Sequence, residues 1–128
     1  MGDMSIRPYI CVSDARAALD WYGAVFGGRV THDPVVMDDG RVGHAETTIG
    51  DVGVMLSEPY PELHVEEPMP GRGAPVTLYL TLPDVDAVAD AARAAGAVID
   101  RGPEATDHGR VVVLRDPFGH RWMVSDQP

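Results

Sequence analysis

The sequence has little that would take it out of a reducing, aqueous compartment. It holds one cysteine, Cys11, so no disulfide can close within the chain and the cytosol is the expected location. Basic residues are scarce: Lys and Arg together number 10 against 20 Asp and Glu, a formal net charge of −10. No cluster of basic residues interrupts that balance, which argues against nucleic acid and against an anionic membrane surface as partners. No apolar run approaches the length of a membrane span. The opening Met-Gly-Asp-Met-Ser-Ile has no basic stretch leading into an apolar one, so no signal peptide is expected. A myristoylation reading fails at Ile6, where Ser or Thr is needed.

What is present is a globular composition, 45% hydrophobic over 128 residues, enough for a core at the size of one domain. Ile6 to Val12 reads as a strand. Ser13 and Asp14 follow as helix caps, and Ala18, Leu19, Tyr22, Val25 and Phe26 fall on one helical face before Gly27-Gly28 ends the run. Arg29 to Val36 is a strand; Arg41 to Ile49 and Val52 to Ser57 form a hairpin around Gly50-Asp51. Prolines at 59, 61, 68, 70 and 75, with Gly71 and Gly73, mark an irregular linker,.

The pattern then repeats: strand Val76 to Leu82, cap Asp84, helix Val85 to Ala95 ended by Gly96, and strands Val98 to Arg101, Arg110 to Arg115 and His120 to Ser125. Asp14 lies over Asp84 and Ala17 over Ala87, while Val54-Met55-Leu56-Ser57-Glu58 lies over Trp122-Met123-Val124-Ser125-Asp126. The expected architecture is one α+β domain spanning residues 1–128: module one at 5–58, a proline-rich linker at 59–75 and module two at 76–126, each module βαβββ.

The runs Arg7-Pro8-Tyr9-Ile10, Trp21-Tyr22, Phe26-Gly27-Gly28, His44-Ala45-Glu46, Ile49-Gly50-Asp51 and above all Asp116-Pro117-Phe118-Gly119-His120-Arg121-Trp122 carry a family resemblance. The chain resembles the PhnB-like branch of the vicinal-oxygen-chelate superfamily (glyoxalase, bleomycin resistance protein, dioxygenase). The resemblance implies two modules forming a sheet-lined cup, and a homodimer. In the metal-using members, four His, Gln or Glu ligands come from the first and last strands of the modules. Carried over, those positions fall at Arg7, Met55, Thr77 and Met123, none a usual ligand for a hard ion.

Strand alternation extends the cup lining to Tyr9 and Cys11 beside Arg7, and to Tyr79 and Thr81 beside Thr77. The two-residue turn at Gly50-Asp51 sets Glu46 opposite Met55 and His44 opposite Ser57. A four-residue turn at Asp116–Gly119 sets Arg115 opposite His120, sending Arg121 and Met123 inward with Arg110 and turning Trp122 toward the helix. His32, His64 and His108 are read as solvent-facing loop residues, and Cys11 as a buried, inert thiol. Tyr and Met suit a flat apolar ligand and Arg an anionic edge. The expected function is therefore small-molecule binding, as in drug sequestration, with no cofactor. The alternatives are a divalent-metal lyase or dioxygenase using His44 and Glu46, and a non-catalytic interaction module.

Overall fold

The computed structural model describes residues 2–128; Met1, where the leader reading begins, lies outside them. The chain divides into two compact units, with the boundary between Glu67 and Pro68, inside the proline-rich stretch.

The first unit is β1 (Tyr9–Cys11), α1 (Ala15–Phe26), β2 (Arg29–Val36), β3 (Val42–Ile49) and β4 (Val52–Ser57). Its sheet has the order β1-β4-β3-β2, with β1 parallel to β4 and the other pairs antiparallel. The second unit repeats this as β5 (Thr77–Thr81), α2 (Val85–Ala94), β6 (Val98–Thr106), β7 (Gly109–Arg115) and β8 (Arg121–Ser125), in the order β5-β8-β7-β6. Both units are βαβββ, as the internal repeat predicts, and the fold is α+β.

The caps explain the helix boundaries. The Asp14 carboxylate accepts from the Ala17 amide at 3.0 Å, and Gly27, at φ 73°, closes α1 by donating to the Tyr22 carbonyl, a conformation that costs glycine nothing. Asp84 caps α2 in the same way, accepting from Ala87 at 3.1 Å. The repeat extends to single bonds: Val12 donates to the Ser57 carbonyl and Leu82 to that of Ser125, each at 2.9 Å. In both units apolar side chains fill the sheet face beneath the helix, Val12, Ala45 and Leu56 in one and Val112, Leu114 and Val124 in the other.

Several boundaries differ from the sequence reading. β1 starts at Tyr9 rather than Ile6, because Pro8 has no amide hydrogen to give a neighbouring strand; its carbonyl still accepts from Met55 at 3.0 Å. β6 runs on to Thr106, past irregular pairing between Ile99 and Glu104. The proline-rich stretch holds a single 3-10 turn at Pro61–Leu63 and a bridge between Tyr60 and Val65.

The second hairpin corrects the register. Arg115 stands opposite Arg121, not His120. The connection is a three-residue loop, Pro117-Phe118-Gly119, with Gly119 at φ 92°, the geometry of a turn closed by a left-handed glycine. The buried Asp116 carboxylate holds it: Oδ1 accepts from the amides of Phe118 at 2.9 Å and His120 at 3.0 Å, and Oδ2 from the Trp122 indole at 2.8 Å. The one-residue slip reverses which β7 side chains share a face with Arg121 and Met123. Those side chains are Val113 and Arg115, and Arg110, expected among them, turns to the other face.

Candidate functional site

Sheet register decides which side chains share a surface. In the first unit Tyr9 stands beside Met55 across the parallel pair, and Glu46 beside Met55 across the antiparallel one. All three therefore point to the face away from α1. Arg7 reaches that face, its Nη1 donating to Glu46 Oε1 at 3.1 Å. The carboxylate lies close over Gly53, where a Cβ would come within 2.5 Å of Glu46 Oε1 and push it aside. The Tyr9 hydroxyl donates to the Gly43 carbonyl at 3.0 Å and lies 3.0 Å from Nδ1 of His44. Both contacts are satisfied when Nδ1 carries the His44 proton, which leaves Nε2 with its lone pair.

Two more side chains join this group. His32, read above as a loop residue, lies within the Arg29–Val36 strand that the sequence also predicts: it pairs with Glu46 across β2 and β3, and its ring meets His44 edge-on at 5.1 Å. Tyr60, from the proline-rich stretch, lies under Arg41, whose guanidinium sits 3.8 Å from the ring centroid. Its hydroxyl is buried with no hydrogen-bond partner among the described residues. Burial, and then the neighbouring Tyr60, push the Tyr9 phenol up. Arg41 also grips Glu62 with both Nη atoms, at 3.0 and 2.7 Å, and Asp39 through Nε at 2.8 Å. No sequence pattern announces Tyr60, because its stretch has no strand or helix period.

Cys11 lies beside Ser57 and is buried. Burial, with Glu67, Glu66 and Glu58 nearby, pushes its thiol up to about 11. The thiolate needed for nucleophilic attack is therefore scarce at neutral pH.

In the second unit Tyr79 stands beside Met123, Thr77 beside Arg121 and Thr81 beside Ser125. The Tyr79 hydroxyl donates to the Gln127 carbonyl at 2.7 Å, and Arg121 Nη1 donates to Thr77 Oγ1 at 2.6 Å. Arg115, not counted among the lining residues in the sequence reading, shares this face and forks onto Asp100 with contacts of 3.0 Å. Arg110, counted there among the lining residues, is on the opposite face. It pairs through Nε and Nη2 with Asp86 in the first turn of α2, which holds the Asp86 carboxyl below its ordinary value. The slipped hairpin register accounts for both errors. His64 follows the 3-10 turn with φ 61° and His108 lies in the β6–β7 turn, both exposed.

The donor set does not suit the divalent ion used by the metal-dependent relatives. Arg7, Met55, Thr77 and Met123 offer a cation, two soft thioethers and a hydroxyl. Of the nearby donors, Glu46 is engaged by Arg7 and His44 by Tyr9. Among the described residues no three His, Cys, Asp or Glu side chains gather as a metal site requires. No helix is long and apolar enough to cross a membrane.

Comparison with known proteins places these units. TnmS3, an antibiotic binding protein from a Streptomyces, is 23% identical with a TM-score of 0.68, the match covering 100% of this chain and 98% of that one. The fosfomycin resistance protein FosX from Mesorhizobium loti is 16% identical with a TM-score of 0.72, covering 100% of this chain and 95% of the other. At those identities the likeness is one of fold. An uncharacterized protein of Mycobacterium bovis is 36% identical over 124 residues, 94% of this chain and 81% of its own length. The sequence pattern of one family runs through residues 5–124, and the chain belongs to that family, the glyoxalase/bleomycin resistance protein/dioxygenase superfamily.

Proposed function

We propose that this protein binds and sequesters a small, flat organic compound, aromatic or anionic, without a metal ion. One observation carries the reading. Each unit sets a tyrosine beside a methionine on the sheet face away from its helix, Tyr9 with Met55 and Tyr79 with Met123. The two tyrosines lie on the edge strands β1 and β5 and are 52% and 51% exposed, open to a ligand. Their hydroxyls are tied down by the Gly43 and Gln127 carbonyls, so little rotamer freedom remains to be lost when a ligand stacks on them. Methionine adapts to the outline of whatever lies against it. The occurrence of the same fold in an antibiotic binding protein and a fosfomycin resistance protein supports a ligand of drug size. The setting proposed is a cytosolic homodimer of the PhnB-like branch, with Arg7, Cys11, His44, Glu46, Thr77, Thr81 and Arg121 bordering the tyrosine and methionine pairs.

The test is a fluorescence titration with a panel of aromatic carboxylate antibiotics. At least one compound is expected to bind with a Kd below millimolar. Tyr9→Ala or Tyr79→Ala is expected to weaken it about tenfold, the value of one lost aromatic contact. Millimolar or weaker binding by every compound overturns the proposal.

The competing reading is a metal-dependent lyase or dioxygenase using His44 and Glu46, which lie two residues apart on one strand face of β3. Stoichiometric zinc, manganese, nickel or iron in untagged protein, lost in His44→Ala, would replace our reading with that one.

A further inference from the structure

We propose that the second unit holds an oxyanion-binding cleft, formed by Arg72, Arg115 and Arg121, that takes the carboxylate or phosphonate group of a small organic molecule. It adjoins the Tyr79–Met123 pair, with Thr77 and Arg121 two residues along the same sheet face, but its anion binding needs no ligand on the tyrosines.

The cleft has a volume of about 550 Å³ and is lined by the Gly71–Ala74 segment, Asp100, Arg115 and Arg121. That is within the range that holds a small organic ligand. Its charge runs against that of the molecule. The chain carries a formal −10, yet this cleft gathers three guanidinium groups against one carboxylate. Every basic residue in the chain is arginine, the side chain whose planar fork matches an oxyanion's paired oxygens.

The arrangement of Arg115 and Arg121 is the unusual part. They are register partners on adjacent antiparallel strands, where like charges repel and destabilise a sheet. Asp100 relieves half of that, accepting from Arg115 at 3.0 Å through both carboxylate oxygens. Arg121 has no such relief. Its contact is the neutral Thr77 hydroxyl, and no carboxylate pairs with it among the described residues. The Thr77 bond orients the guanidinium and leaves its other N–H groups for a ligand. One step from its own turn, the first unit places Thr48 opposite Gly53 at the matching position. The paired arginines therefore belong to this unit and not to the βαβββ skeleton.

The experiment is ¹⁵N NMR of the whole chain, reading backbone amides and arginine Nε–H signals during separate titrations with inorganic phosphate and with benzoate. Saturable shifts are expected at Arg72, Gly73, Arg115 and Arg121, and the anion that saturates first tells a tetrahedral headgroup from a planar one. Arg121→Met is expected to weaken that binding about tenfold or more, the effect of losing a charge-assisted hydrogen bond. Arg110→Met, which changes the opposite face, should leave it unchanged. If Arg121→Met fails to fold, Arg121→Lys keeps the charge without the fork, and an intermediate affinity is expected. The proposal is overturned if neither anion gives a saturable shift at these residues, or if both Arg121 variants bind like the parent. Fluorescence titration of aromatic compounds reads the tyrosine faces separately, so either proposal can fail alone.

Discussion

The two units run the same five elements in the same order but spend different side chains on them. In the first, α1 buries Trp21, Tyr22 and Phe26, with Trp21 and Phe26 edge-on at 5.3 Å and Tyr22 stacked on Phe26 at 6.0 Å. In the second, α2 buries only Val85, Ala89 and Ala92. The carboxylate after the last strand shows the same contrast. Glu58 is long enough to accept from Val42 at 2.8 Å and from Ala15, at the start of α1, at 2.9 Å. Its counterpart Asp126, one methylene shorter, accepts from the Arg110 amide at 3.0 Å. The second unit puts its buried carboxylate elsewhere, at Asp116, under the turn that fixes the β7–β8 register. One skeleton thus tolerates different reinforcement, and the faces away from the helices differ too. The first presents His32, His44 and the Arg7–Glu46 pair; the second presents arginines.

Substitutions should break this comparison in a definite order. The largest effect belongs to Asp116→Ala, which strands two amides and the Trp122 indole that now share one buried carboxylate. A loss of about 3–5 kcal/mol is expected from urea unfolding, in the range for removing one side of a buried charged network. Glu58→Ala comes next at about 2–3 kcal/mol, since it removes two charge-assisted bonds, and Asp126→Ala follows at about 1 kcal/mol. Equal losses for Glu58 and Asp126 would contradict the view that the first unit is stapled more firmly.

A smaller effect concerns acid. Arg41 holds Asp39 and Glu62 below their ordinary values of 3.8 and 4.5. Depressed carboxylates contribute stability that is present above those ordinary values and lost as the pH falls through the lower folded ones. Arg41→Ala should therefore lower neutral stability slightly, these groups being exposed, and flatten the fall in stability below about pH 4.5 by the same small amount, seen as a smaller drop in urea midpoint. An unchanged acid limb would show that the cluster contributes nothing. The smallest effect is kinetic. The Cys11 thiol, pushed from 9.0 to about 11, should react slowly with iodoacetamide at pH 8 in the folded chain and at the ordinary rate in urea. Equal rates would contradict its burial.

Much of the fold was legible because its signals are local. Asp14, Asp84 and Gly27 sit where a cap must sit, and a two-residue Gly50-Asp51 turn allows only one register, so the Glu46 and Met55 pairing follows from counting. The second hairpin was not legible in the same way. Its loop length depends on the Asp116 side chain folding inward to bind the amides of Phe118 and His120, a choice that residue spacing does not encode. The miscount by one residue exchanged Arg115 for Arg110. His32 was missed because its strand is exposed and irregular, with pairing shifts from Val30 to Val36. Tyr60 was missed because only the folded position of Arg41 brings it to the site.

The central claim is that the sheet faces away from the helices bind an organic molecule without a metal ion. Methionine methyl signals of Met55 and Met123, followed in chelator-treated protein while an aromatic carboxylate antibiotic is added, test it directly. The account predicts saturable shifts of both methyls, unaltered by chelator. Shifts that appear only after a divalent cation is supplied would contradict it.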